Sequence, residues 1–599
     1  MNDYQAPQRD MKFVMNELLD YPAHYASLPN CEDASIEIVD AIREEGAKFS
    51  TNVLSPLNKV GDQEGCTWND GQVTTPTGFK EAFNQFKEAG WPGLIQEQKY
   101  GGQGLPFSIG VMFGEMISSA NIAWSMFNGA NNGTLETINV WGTNAQKEIY
   151  MKKIVEGNWG GTMCLTEPHC GTDLGMLRTK AEPNSDGSYN ITGTKIFITQ
   201  GEHDLSENIV HIVLARMPNA PAGVKGISLF IVPKFTPNQA GEVGMRNGVT
   251  CGSIEHKMGI NGSPTCVMNF DSAKGYLLGA ENKGLNCMFT FMNNARLAVA
   301  MQGMIHAEVG FQKSLAYAKD RLQMRSLTGA KNPDGPADPI IVHPDVRRML
   351  LTQKSLAEGG RMLNYHIAKL LDILQRSDDE ALIKETEDEL GLLTPIAKAF
   401  LTETGFESAN LALQCFGGHG YIKEWEVEQN VRDSRIACIY EGTTGIQALD
   451  LLGRKILMTK GERLRKYTKK MHKFCEINKE NKEIAPFINQ LEKYNKEWGE
   501  LVMKVGGSAM QNPDELGAAS VDFLMYSGYV VLAYFWAQAA LTANEALKIN
   551  TDDKDFYQAK IKTARFFFER MLPKTRGYVA TMNSGADNLM SLEAEHFSF

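Results

Sequence analysis

Between Cys438 and Asp450 the chain reads CIYEGTTGIQALD, with a carboxylate, Glu441, set between a tyrosine and a Gly-Thr-Thr-Gly turn ahead of an apolar helical run. No lysine or arginine flanks it in the sequence. An acid so placed can act as a general base on a carbon acid if burial raises its pKa. The alternative is a solvated acid before a threonine-capped helix that begins near Gly445 or Ile446.

Two other loops are rich in donors. CLTEPHCGTD (Cys164 to Asp173) leaves a strand and turns, and IFITQG (Ile196 to Gly201) ends a strand with an aromatic and a threonine. Singly, each is an ordinary turn. Together they can offer backbone N–H and hydroxyl donors to a flat heteroaromatic with several acceptors, as an isoalloxazine ring requires. Other chemistries are not indicated. No Gly-x-Gly-x-x-Gly follows a strand and opens a helix, and FGGHGY (416–421) reads as a helix-ending turn. The eleven histidines are scattered, Cys164 and Cys170 alone do not make a zinc site, and no metal is expected. No Gly-x-Ser-x-Gly elbow occurs.

The elements that must hold these loops follow from patterning. At 599 residues, three or four structural units are expected. Residues 1–160 read mainly as helices; TGFKEAFNQFKEAGWPGL puts Phe79, Phe83 and Phe86 on one face and stops at Gly90, and Ile109 to about Val140 reads as a long apolar helical region. Residues 161–283 carry short β-rich runs, SYNITGTKIFIT, IVHIVLAR, ISLFIVP and TCVMNFD. Helical spacing returns over 284–457, where SDDEALIKETEDEL reads as a charged helix or hairpin, and 458–599 reads as a further helical extension. The fold class is multidomain α+β.

The uncharged run from Phe523 to Asn544 is long enough to span a bilayer, yet Ser527, Gly528, Gln538, Thr542 and Asn544 interrupt it and no basic flank orients it. It reads as a buried helix. With 43% hydrophobic and 22% charged residues and a net charge of −11, the chain reads as a globular protein that does not bind nucleic acid generally. No signal-peptide pattern opens it, and its ten cysteines show no paired framework, so a cytoplasmic, reducing location is expected.

Set in order, these segments resemble the acyl-CoA dehydrogenase family over about residues 40–457. CLTEPHCGTDLG looks like its first signature, KIFITQG like its Trp-Ile-Thr-Asn segment, DRLQMR like its Glu-Arg-x-x-Phe-Gly segment, and LQCFGGHGYIKEWEVEQNVRDSRIACIYEGTTGIQ like its second signature. The opening YQAPQRDMKFVMNEL and the GADNLM tail resemble a C-terminally extended subfamily, often described as acting on 3-methylmercaptopropionyl-CoA or fatty acyl-CoAs. The resemblance implies an N-terminal helical domain, a β-barrel-like middle domain, a four-helix bundle and an extra helical domain.

It also implies roles. Leu165, Thr166 and Thr172 would surround the flavin of FAD, with Thr172 near the pantetheine arm. Phe197, Ile198 and Thr199 would lie on the ring's other side, the Thr199 hydroxyl near N5. Arg321 would meet the FAD pyrophosphate of a neighbouring subunit, with Gln414, Gly417 and Gly418 near its adenosine. Thr443 would bind FAD, Arg296 would line the thioester site, and Glu441 would take the α-proton. That role needs a carboxyl raised from about 4.3 towards neutrality. The Glu441 N–H and a ribityl hydroxyl would polarise the thioester carbonyl. An electron-transfer flavoprotein would accept the electrons, and a homodimer is implied, with a tetramer as the alternative.

Four departures stand out: His169-Cys170 where Gly-Ala is common, Met176 in place of a small residue, Phe197 in place of Trp, and Gly445 in place of Gln. Competing readings are an acyl-CoA oxidase and a DNA-associated family member. The basic run RLRKYTKKMHK bears on the second; it reads as a solvated face, with the C-terminal extension a candidate for peripheral membrane contact.

Overall fold

The computed structural model describes residues 4–238, 240–549 and 551–598. It divides into two compact units, one built on Glu37–Ala298 and one on Pro7–Ile36 with Val299–Phe599. The helices between residues 37 and 155 share a unit with the β strands, and the helices of residues 7–36 belong to the other.

In the first unit, α1 (Phe79–Glu88) buries Phe79, Phe83 and Phe86 and ends ahead of Gly90, whose φ is +75°. The long apolar helical region consists of two helices, α2 (Phe107–Ala120) and α3 (Ile122–Trp141). Asn121 breaks it: its backbone is extended, and its side chain accepts from the Trp124 N–H at 3.0 Å, an N-cap that ends one helix and starts the next.

A sheet of seven strands follows: β1 (Trp159–Cys164), β2 (Lys180–Pro183), β3 (Tyr189–Thr199), β4 (Asn208–Arg216), β5 (Ile227–Pro233), β6 (Val249–Ile254) and β7 (Thr265–Leu278). β7 pairs with β3, β3 with β2, β2 with β4, β4 with β5, and β5 again with β7, so the pairings close on themselves; β6 extends β7 and β1 lies parallel on β4. Ala181, Ile191, Val213, Phe230 and Val232 form part of its buried core. This is the β-barrel-like domain. α3 docks onto β1 through Asn131, whose Oδ1 accepts from the Gly161 N–H at 2.7 Å.

The second unit is helical. α4 (Gly284–Asp320) carries the boundary between the units; α5 (Pro344–Arg376) packs along α6 (Glu380–Phe416), and α7 (Val427–Arg435) and α8 (Thr444–Leu449) follow. The charged run 377–390 forms the start of α6, capped by Asp379, which accepts from the Ala381 and Leu382 N–H groups at 2.9 and 3.1 Å. The extension supplies α9 (Glu462–Asn478), α10 (Ala485–Gln511), α11 (Asp514–Lys548) and α12 (Lys554–Phe566).

The long apolar segment lies in α11 and is largely buried against its own unit. A Cβ added at Gly528 would stand 2.1 Å from the Phe400 ring, so glycine allows α11 to lie close on α6. The Trp536 indole N–H reaches the Ser355 carbonyl at 3.1 Å. The basic run forms α9, with Arg463 and Lys466 on Asp388 and Lys470 on Glu389.

A buried ionic cluster ties the chain's first helical turns to its extension. Asp10 pairs with Arg361 and Lys560, Arg361 reaches Glu308 at 2.9 Å, and Lys560 reaches Glu358 at 2.7 Å. Lys354 also pairs with Glu358.

Candidate active site

The loop after β1 is held from below by a buried ion pair. Lys195, in the middle of β3 and fully buried, donates to Glu167 at 2.8 Å and to the Leu165 carbonyl at 3.0 Å. Glu167 also accepts from the Thr179 hydroxyl at 2.6 Å and from the Thr179 and Arg178 N–H groups at 3.0 and 2.8 Å. Burial works to raise the Glu167 carboxyl, but Lys195 and these donors hold it below the usual range. The Ile196 N–H donates to the Thr166 carbonyl at 2.9 Å, fixing the loop to β3. Lys195→Met should strand the Glu167 charge, cost about 3–5 kcal/mol and lower the flavin content of purified protein; absorbance at the flavin band per chain measures it.

β3 then breaks its own register. Cys266 opposes Ile198 but Met268 opposes Lys195, so Ile196 and Phe197 together face Val267, a β-bulge. Phe197 sits at φ +58° and is 59% exposed, an aromatic residue at a backbone angle that costs about 1–3 kcal/mol. Ile198 beside it is buried. The sequence marks the strand end and the aromatic but not the bulge, which depends on β7.

Of the residues singled out in the sequence, Leu165, Thr166 and Thr172 lie on the loop after β1, Phe197, Ile198 and Thr199 at the end of β3, and Arg296 on α4. Arg296 leaves its buried Nε without a partner among the described residues, a donor suited to an acceptor from a ligand. The departures His169 and Met176 meet each other: His169 Nε2 lies 2.9 Å from the Met176 carbonyl. Glu167, His169 and Cys170 bring potential metal-ligating atoms within 4.8 Å of one another, but Lys195 already occupies the Glu167 carboxylate.

Glu441 belongs to the other unit. It stands at φ +55° and Gly442 at +92°, two successive left-handed residues between Ile436–Cys438 and α8. Only glycine adopts that geometry freely, so Glu441 is a strained residue at the centre of the turn. Thr443 caps α8, its hydroxyl accepting from the Ile446 N–H at 3.3 Å. The Gln447 amide donates to the Glu441 carbonyl at 3.2 Å, and the Tyr440 hydroxyl donates to Gln302. Burial first, then the Glu441 charge, push the Tyr440 phenol well above its ordinary value, so it stays neutral.

The sequence places no cation beside Glu441; the fold corrects that. Lys398 of α6, fully buried, donates to the Gly442 carbonyl at 2.6 Å and to the Ala437 carbonyl at 2.9 Å. Its sequence signal is a lone lysine in the apolar run TPIAKAFL.

Arg321, Gln414, Gly417 and Gly418 are exposed. Gly417, at φ +59°, ends α6, and a Cβ on Gly417 or Gly418 would meet nothing within 4 Å. Beside them, Tyr317 stacks on Phe416 at 4.2 Å and His419 on Trp425 at 4.6 Å. Gly445, on the first turn of α8, also faces open space.

The ring of strands, the helical unit and these two sets of loops have counterparts among known proteins. Residues 39–158, 162–273 and 282–457 match the N-terminal, middle and C-terminal domain models of acyl-CoA dehydrogenase, and 467–593 match a model described as acetyl-CoA dehydrogenase C-terminal like. The chain belongs to the acyl-CoA dehydrogenase family. It is 41% identical to 3-methylmercaptopropionyl-CoA dehydrogenase of Ruegeria pomeroyi, covering 98% of this chain and 99% of that one. It is 34% identical to a butyryl-CoA dehydrogenase of Syntrophomonas wolfei, over 99% of each chain. Its fold matches that of an acyl-CoA dehydrogenase from Bacillus anthracis complexed with FAD, with a TM-score of 0.73, 23% identity and coverage of 93% of this chain and 90% of that one.

Proposed function

We propose that this chain oxidises an acyl-CoA thioester to the trans-2-enoyl-CoA, with FAD as cofactor and Glu441 as the base that removes the α-proton. The observation that carries this reading is Glu441 itself, a carboxylate fixed at φ +55° by bonds to both sides of its turn. Such a residue is held in place for a reason other than stability.

The open threonine-bearing loops and the unpartnered Arg296 Nε fit FAD and a thioester. Leu165, Thr166, Thr172, Phe197, Ile198 and Thr199 would hold the flavin, and Thr443 would contribute to it. The exposure of Arg321, Gln414, Gly417 and Gly418 supports their serving the FAD of a partner subunit in a homodimer. FAD supplies the acceptor for the β-hydride when bound. The remaining work falls to the chain: Arg296 and Thr172 orient the thioester, the Glu441 N–H polarises its carbonyl, and the Glu441 carboxylate takes the proton.

The acyl group is 3-methylmercaptopropionyl or a short fatty chain; similarity to the Ruegeria enzyme over nearly the whole of both chains favours the first. The exposed Phe197 ring offers an exit for electrons to an electron-transfer flavoprotein. Dye reduction with saturated thioesters of graded length, including 3-methylmercaptopropionyl-CoA, tests the substrate. We expect the thioether thioester to give the highest kcat/KM, and no reduction by any thioester would end the reading. Reduced protein exposed to air should reoxidise slowly; fast reoxidation with peroxide release would make it an oxidase.

A further inference from the structure

We infer that Lys398 and Glu403 of α6 form a two-point clamp that positions the Glu441 turn for proton removal, Lys398 from one side and Glu403 through Thr444 from the other. The inference rests on the reading of Glu441 as base.

The Lys398 ammonium bridges the carbonyls of Ala437 and Gly442, which bracket Glu441 in the chain. Five residues further along the same helix, Glu403 accepts from the Thr444 hydroxyl at 2.5 Å. One rigid helix therefore grips the turn before and after the base. A left-handed glutamate relaxes unless its surroundings over-determine it, and charge-assisted bonds to backbone carbonyls are strong enough to do so.

A buried lysine could equally be a structural plug, and two features separate the roles. The clamp closes on the strained residue rather than on a regular element. It also brings a buried cation to a turn whose other charged and titratable neighbours are acidic or neutral apart from Arg435. Tyr440 and Cys438 lie on the turn itself, Asp433 and Arg435 come from α7, and Glu403 and Lys398 from α6. An ammonium here favours the ionised carboxylate, so its loss moves the acid limb of the pH–rate profile to higher pH.

The test compares FAD-loaded wild type with Lys398→Met, Lys398→Arg, Thr444→Val and Glu441→Gln in stopped-flow reduction by butyryl-CoA and 3-methylmercaptopropionyl-CoA across pH. Lys398→Met should reduce its flavin about 100-fold more slowly, as a displaced reacting group does, with KM nearly unchanged and the acid limb raised. Lys398→Arg should return the limb to the wild-type position. Thr444→Val should slow reduction about 10-fold without moving the limb. A Lys398→Met protein with wild-type rate and pH profile overturns the inference while leaving the base assignment intact. If that variant does not hold FAD, Thr444→Val decides: slowed reduction supports the clamp and a wild-type rate overturns it. Full reduction by Glu441→Gln would instead remove the base assignment on which the clamp depends.

Discussion

Purified Glu441→Gln protein is expected to remain yellow with bound FAD while its reduction by acyl-CoA falls by about three to four orders of magnitude. Glutamine keeps the size of the side chain and the backbone N–H that would polarise the thioester, and removes only the proton acceptor. The turn should survive, because its bonds run through the backbone: Lys398 to Ala437 and Gly442, Gln447 to the Glu441 carbonyl, and Thr443 to α8. KM should therefore change little and kcat should collapse, the signature of an interaction made in the transition state. Stopped-flow absorbance of the flavin band reads the rate. Full turnover in this variant would show that another group takes the proton.

The second large effect concerns stability. Asp10→Asn is expected to destabilise the helical unit by about 3–5 kcal/mol, because it leaves two buried cations short of a partner. Burial alone would raise the Asp10 carboxyl, yet Lys560 and Arg361 bring it down to about 2. The sign follows from that depression. Asp10 stabilises the fold fully above the unfolded carboxyl value, about 3.9, and the contribution disappears as pH falls through about 2. Protection of residues 7–19 against hydrogen exchange should thus be high at neutral pH and fall on acidification, while the variant should start lower and lack this acid step. The double change Asp10→Leu with Lys560→Met should cost much less than the sum of its parts, since it removes both charges at once. Additive losses would show that the two residues do not act as a pair.

Local pattern made some of this legible. The Phe79, Phe83 and Phe86 face, the turn at Gly90 and the buried character of the run in α11 all follow from spacing and composition, and the structure has them. The break at Asn121 was legible only to a closer reading, because an asparagine inside an apolar run is a helix-cap residue. The bulge that turns out Phe197 depends on pairing with β7, about seventy residues away, and no local signal encodes a partner strand's register. In the same way Glu441 and its threonines could be singled out, but Lys398 could not be joined to them. A lysine in an apolar helix says only that its ammonium must find acceptors, not where they lie.

The ionic cluster also bears on the order in which the protein can be completed. Asp10 and Lys560 lie 550 positions apart, so Asp10 is made long before Lys560. Arg361 is made well before Lys560, so Asp10 can pair with it first, but the cluster closes only when Lys560 follows, while Glu37–Ala298, contiguous in sequence, can fold as it is made. Synthesis in that order would leave the unit that carries Glu441 waiting on its later half.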